Sequence, residues 1–259
     1  MIVKPQLTSR LATSSLGANK LTAVPSTSAG RRGAFILLEG VDRCGKTTQC
    51  SLLLKHLLSL SIATIAFRFP NRGTSVGNLI DGYLKSEQNI DDRAVHLLFS
   101  ANRWESVQTL ESTLANGTSI VCDRYAYSGV AFSAAKEAKG VDLEWCKRCD
   151  IGLPAPDAVI FLDLDQDDAE RRGGYGNERY EKRELQMKVR DRFADLQSCD
   201  EQEGRVPWHV IDASGSIEEV QNKILDVVER TMRRVSEGAP LKKMWSEGDY
   251  DLPPLSLTN

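Results

Sequence analysis

The chain has 259 residues, 41% hydrophobic and 27% charged, with 33 Lys and Arg against 36 Asp and Glu and a formal charge of −3. This is an ordinary globular mixture, suited to one large α/β domain with flexible ends or at most two small domains. The near-balanced charge provides no global field toward nucleic acid or a membrane surface, and no apolar run approaches the roughly 18 residues that span a bilayer.

Residues 1–32 stand apart as an extension. They carry Lys4, Arg10, Lys20, Arg31 and Arg32, are rich in Ser and Thr, and the first acid of the chain is Glu39. That composition fits a transit peptide to a mitochondrion or plastid, and equally a disordered tail on a protein of cytoplasm and nucleus. No long apolar stretch follows the first basic residues, which argues against a secretory signal. A domain is expected over residues 33–245, followed by an acidic, Pro-containing flexible tail over 246–259.

The domain opens on a buried strand, Ala34–Leu38. It leads into Gly40-Val41-Asp42-Arg43-Cys44-Gly45-Lys46-Thr47, which fits G-x-x-x-x-G-K-[ST]. In this loop the glycines let successive N–H groups point at a phosphate chain, Lys46 reaches the terminal phosphates and Thr47 offers a hydroxyl to Mg²⁺. The helix that follows, marked by Leu52, Leu53, Leu57, Leu58 and Leu60, aims its positive end at the anion. Ile62–Phe67 is predicted as a second strand, stopped at Pro70. Val76, Leu79, Ile80, Tyr83 and Leu84 have the spacing of a short helix. A single long helix is predicted from about Asp91 to Asn116, with Gly117 as its stop. Phe99 and Arg103 share a face of it. An aromatic plane beside a guanidinium is a natural base site, but on pattern alone the favoured reading of Phe99 is plain core.

Ser119–Cys122 is the third strand and ends at Asp123, placed to hold Mg²⁺ opposite Thr47. Arg124 adds a cation suited to phosphate. Helical segments run on to about Cys149, and Ala158–Leu162 is the fourth strand. The run Arg171 to Tyr180 combines hinge glycines with cations and reads either as a lid over a triphosphate or as a solvated charged loop. A helix over Glu184–Cys199, a strand over Trp208–Ile211 and a helix over Ile217–Arg233 complete the domain. Five parallel strands with helices on both faces make a three-layer α/β fold of the P-loop NTPase type, with ligands at the strands' C-terminal ends. Trp145-Cys146-Lys147-Arg148-Cys149 imitates a redox motif, but no strand feeds it. The six cysteines are scattered through core and helical segments, and no disulfides are expected.

Taken together the motifs resemble thymidylate kinase, closest to the eukaryotic type with Arg in the phosphate loop. The shared wording is Leu38 through Arg43, Arg68-Phe69-Pro70, His96 through Trp104, Asp123-Arg124-Tyr125, Ser128 through Phe132, and Glu178-Arg179-Tyr180-Glu181. The resemblance implies a nucleoside monophosphate kinase fold with a lid at about 171–186. It implies a homodimer that transfers the γ-phosphoryl group of ATP to dTMP with Mg²⁺, giving dTDP and ADP. Phe99 would stack on thymine and Arg103 bond its edge, while Arg72 and Arg124 would hold the acceptor phosphate. Phe69 would lie beside the nucleotide and Asp42 touch the 3′-hydroxyl, with Ser128, Gly129, Phe132, Tyr180 and Gln186 completing the pocket. ATP would meet Arg43, Cys44, Gly45, Lys46, Thr47, Thr48, Arg172 and Asp212. Lys46, Arg43, Arg124 and Asp42 would carry the chemistry, and Thr47 and Asp123 the metal. Cys44 departs from the Ala or Ser more usual in the family, and Cys149 is a second departure.

Overall fold

The computed structural model describes residues 31–172, 178–246 and 249–250. Five strands form one parallel sheet: β1 (Phe35–Gly40), β2 (Thr64–Arg68), β3 (Ser119–Asp123), β4 (Ala158–Asp163) and β5 (Trp208–Asp212), in the order β2-β3-β1-β4-β5. β1 is central because it is apolar on both faces. Phe35 and Leu37 enter one buried cluster and Ile36 and Leu38 the other. That alternation is what a strand between two helical layers requires.

The first layer holds α2 (Ser75–Leu84), α3 (Asp92–Trp104), α4 (Val107–Ala115), α5 (Ala126–Ala134), α6 (Leu143–Arg148) and α8 (Arg183–Gln202). α1 (Lys46–Ser59) and α9 (Ile217–Ser236) cover the opposite face, the latter through Val220, Ile224, Val227, Val228 and Val235. α9 begins at a capping box, Ser216 with Glu219, which satisfies two N–H groups of its first turn.

The structure departs from the sequence reading in four places. The helix expected over 91–116 is two helices, broken at Glu105–Ser106. Ser106 Oγ bonds back to the Asn102 carbonyl at 3.4 Å, and the Ser106 N–H goes to Arg103 three residues earlier. Such back-bonding bends a helix, and the bend lets Leu110 and Leu114 of α4 reach the core. The boundary of the extension also moves. Arg32 forms a fork with Asp157, 2.8 and 2.7 Å, and donates to the carbonyls of Ala239 and Pro240, so it is part of the fold. The third place is a short helix, α7 (Gln166–Arg171), which precedes the lid and was not anticipated. Within the segment expected as a flexible tail, β7 (Asp249–Tyr250) pairs antiparallel with β6 (Leu241–Lys242). Residues 1–30, 173–177, 247–248 and 251–259, which include the glycines of the expected lid, lie outside the described residues.

Candidate active site

The C-terminal ends of β1 and β3 and the loops beyond them enclose a cavity of about 750 Å³, within the usual range for a small-molecule site. It runs from the loop at Asp42–Thr48 to Phe99 and Arg103 on α3. Seven cationic side chains and four carboxylates line it, in a chain whose net charge is negative. The cavity is therefore a local field for anions.

The loop at its floor is built by backbone geometry. Gly40 has φ 146°, and a Cβ there would lie 2.6 Å from the Leu162 carbonyl, so no other residue fits. α1 starts at Lys46 behind Gly45, with no side-chain cap and no acid in its first turn. Its N–H groups are thus available to an anion. Lys46 is buried and donates to the Val41 carbonyl at 2.6 Å, with Cys44 Sγ at 3.4 Å. Thr47 Oγ1 donates to Asp123 Oδ2 at 2.7 Å, bringing the two expected metal ligands together. Arg68 Nε stands 3.7 Å from the same carboxylate.

Arg124 sits at φ 67° beyond β3. Its guanidinium pairs with Asp42, donates to Ser128 Oγ at 3.0 Å and lies 5.1 Å from the Phe132 ring centroid. Burial works against its charge, yet Asp42, Asp123 and Glu39 outweigh that and push its pKa up. It is a permanent cation. Asp42 is braced from behind by Gln186, which donates to its carboxylate at 2.7 Å and accepts its N–H at 2.9 Å. Arg43, also at positive φ, pairs with Glu181 at 2.7 Å. Arg72 bridges Asp81 at 2.6 Å and Glu178 at 2.8 Å. Arg172 donates to the carbonyls of Ala213 and Arg43. Residues on either side of 173–177 therefore meet Arg43 or Arg72.

Of the residues expected from sequence, the cavity gathers Asp42 through Thr48, Phe69, Arg72, Phe99, Arg103, Asp123, Arg124, Ser128, Gly129, Phe132, Arg172 and Tyr180. Phe99 settles between its two readings: it packs on the core and also lines the cavity. Two residues fall elsewhere. Gln186 is buried behind Asp42 and bonds to its carboxylate. Asp212 is exposed, and its carboxylate folds back onto the Ser214 N–H at 2.9 Å; the wall there is Ala213, Gly215, Ser216, Ile217 and Val220.

Sequence reasoning missed Glu39 as a site residue. It is fully buried at the end of β1 and accepts from the N–H groups of Tyr125 and Ser128 and from Ser128 Oγ. It thus anchors the first turn of α5 and the segment that presents Arg124. Burial pushes its carboxyl above the usual range, and the bonds from Ser128 and the Arg124 charge draw it back in part. The signal was an acid inside an apolar strand, which must be paired to be tolerated. In the imitation redox motif, burial pushes the Cys146 thiol up to about 12 and raises Cys149 as well, which works against forming the thiolate that redox chemistry uses. All six cysteines are free thiols.

The thymidylate kinase family model matches residues 38–224. The chain belongs to the thymidylate kinase family. It is 50% identical to the thymidylate kinase of Arabidopsis thaliana over 215 residues, covering 83% of this chain and 78% of that protein. It is 44% identical to the human thymidylate kinase, over 84% of this chain and 99% of that one. The solved structure of the Candida albicans thymidylate kinase, described as having broad substrate specificity, superposes with a TM-score of 0.73 at 33% identity, covering 84% of this chain and all of that one. Family membership gives the cavity its sense: the phosphate loop and the Phe99–Arg103 end lie in one enclosure, as a kinase joining two nucleotides requires.

Proposed function

We propose that this chain transfers the γ-phosphoryl group of ATP to dTMP, giving dTDP and ADP, in the cavity between the phosphate loop and α3. The observation that carries this reading is the continuity of that cavity. A triphosphate on the loop and a base at Phe99 and Arg103 share one enclosure. The second ionisation of a phosphate monoester falls near pH 6, so the attacking oxygen is anionic at neutrality and needs no general base. Catalysis is then alignment and charge neutralisation. Lys46 and Arg43 would meet charge developing on the transferred group, while Arg124 and Arg72 hold the acceptor in line. Gln186 and Asp42 fix the Arg124 guanidinium from behind.

Thr47 and Asp123 fit a hard divalent cation. Both offer oxygen, and they stand within hydrogen-bond distance of each other. A pair of oxygen donors suits Mg²⁺, an ion that takes one or two protein ligands plus substrate phosphates. When bound it would neutralise phosphate oxygens. A nucleoside kinase is disfavoured because it requires a free carboxylate base, and Asp42 is already engaged by Arg124 and Gln186. Coupled ADP release with dTMP, dUMP, dCMP and thymidine, each with ATP and Mg²⁺, tests the reading. dTMP should be the preferred acceptor and thymidine inert. A preference for thymidine would overturn it.

The same reading extends to a homodimer. Leu97 and Trp104 on α3 are large apolar side chains left exposed in one chain. Analytical ultracentrifugation should give twice the chain mass. The acid-free composition of residues 1–32 supports import into an organelle. A fusion of residues 1–33 to a fluorescent reporter should reach mitochondria or plastids, and even cytosolic and nuclear spread would return the enzyme to those compartments.

A further inference from the structure

The base-reading end of the cavity contains a buried ion pair. Arg103 and Asp150 are 2% and 0% exposed. Asp150, just beyond α6, accepts from Arg103 Nε at 3.1 Å and from one terminal guanidinium nitrogen at 2.5 Å. Ser100 Oγ, one turn before Arg103, lies 2.8 Å from the same carboxylate and 2.9 Å from the Cys149 carbonyl, with one hydroxyl hydrogen to donate between them. Trp104 Nε1 donates to that carbonyl at 2.7 Å. Three side chains of α3, Ser100, Arg103 and Trp104, thus fasten to the backbone and carboxylate of Cys149–Asp150. On its other side the guanidinium lies against α5, where a Cβ on Gly129 would come within 2.7 Å of it.

A guanidinium so clamped cannot swing, and it has no acceptor atoms. Towards the cavity it therefore presents donors only. We propose that Asp150 is a specificity-positioning residue. By fixing Arg103 it makes the site demand a hydrogen-bond acceptor on the edge of the incoming pyrimidine, and so sets discrimination against a 4-amino base. This rests on the reading of the cavity as a pyrimidine monophosphate site. Thymine and uracil offer a 4-keto acceptor. Cytosine would set an amino donor against a fixed donor, leaving buried polar groups unpaired.

The test measures kinetics with dTMP and dCMP for the unmodified protein, Asp150→Asn, Arg103→Met and the double variant. Turnover of dTMP by the unmodified protein tests the underlying reading separately. Asp150→Asn should raise KM for dTMP at least about tenfold and lower the dTMP:dCMP ratio of kcat/KM by a similar factor, with KM for ATP within about twofold. In the Arg103→Met background, adding Asp150→Asn should change the dTMP constants by less than about twofold, because a residue acting only through Arg103 has nothing left to position. Equal rises in both Michaelis constants, an unchanged dTMP:dCMP ratio, or a further tenfold loss in the Arg103→Met background would overturn the proposal. Leaving one buried charge unpaired is destabilising. If Asp150→Asn does not fold, the double variant, which removes both charges, is compared with Arg103→Met under the same criterion.

Discussion

Gly129→Ala is the sharpest small perturbation available. Gly129 lies inside α5, where Ala would be favoured by about 1 kcal/mol on helix propensity, so its presence points to a close approach. A Cβ there would stand 2.7 and 2.8 Å from the two terminal nitrogens of Arg103 and 3.0 Å from its central carbon. Ordinary contact begins near 3.4 Å, so the guanidinium must retreat about 0.7 Å. Its bonds to Asp150 run 2.5–3.1 Å and leave little room on the far side. A displacement near 1 Å in a positioning group can cost on the order of a hundredfold in rate, and we expect ten- to hundredfold in kcat/KM for dTMP. Steady-state kinetics with each substrate varied in turn measures this, and thermal melting monitors the fold. KM for ATP should stay within about twofold and melting should hardly move. A dTMP kcat/KM within threefold of the unmodified protein would refute the idea that the Arg103 position is set this tightly.

Lys46→Ala should reduce turnover at least about a hundredfold, the scale of one preorganised charge, with circular dichroism unchanged; turnover within threefold would contradict its role. Phe99→Ala should raise KM for dTMP five- to hundredfold, since base–aromatic stacking contributes about 1–3 kcal/mol, and leave KM for ATP nearly constant; equal changes would make Phe99 purely structural. Arg43→Gly should lower kcat with little effect on dTMP affinity. Glycine accepts the positive φ of this position without strain, so the loss would report the side chain alone; weakened dTMP binding with normal kcat would move Arg43 to the acceptor. His96 is buried, bonded to Ser133 Oγ and the Cys146 carbonyl, and burial pushes its pKa below the ordinary value. A lowered folded-state pKa means stability present above about pH 6.5 and lost as pH falls below it, by at most about 1.4 kcal/mol per pH unit for one proton. Denaturant melts between pH 7.5 and 5 should show a flatter pH dependence in His96→Asn; parallel curves would remove His96 as the group responsible.

What sequence could say followed from how local each feature is. β1, β3 and β4 were legible because a strand buried on both faces must be a continuous apolar run, and the phosphate loop because its chemistry lies in eight consecutive residues. β2 is an edge strand with most of its side chains at least partly exposed, and its predicted start fell two residues early. The break at Glu105–Ser106 was hidden because one serine bonding back to Asn102 leaves the helical spacing on either side intact. Glu39 and Asp150 were passed over for a different reason. Each gains its role from partners 86 and 47 positions away, Tyr125 and Arg103. No spacing rule reports a carboxylate's distant partner. Phe99 was ambiguous for a physical reason too: it is both core and wall, so each reading described one side of the ring.

The central claim is that this cavity moves a phosphoryl group between two nucleotides. Incubating the protein with γ-³²P-labelled ATP, Mg²⁺ and dTMP, and separating the nucleotides, tests it directly. The account predicts that label leaves ATP and appears in the β-phosphate of dTDP, in step with ADP and only when dTMP is present. Label released as inorganic phosphate at the same rate with and without dTMP, or transferred to another monophosphate in preference, would contradict it.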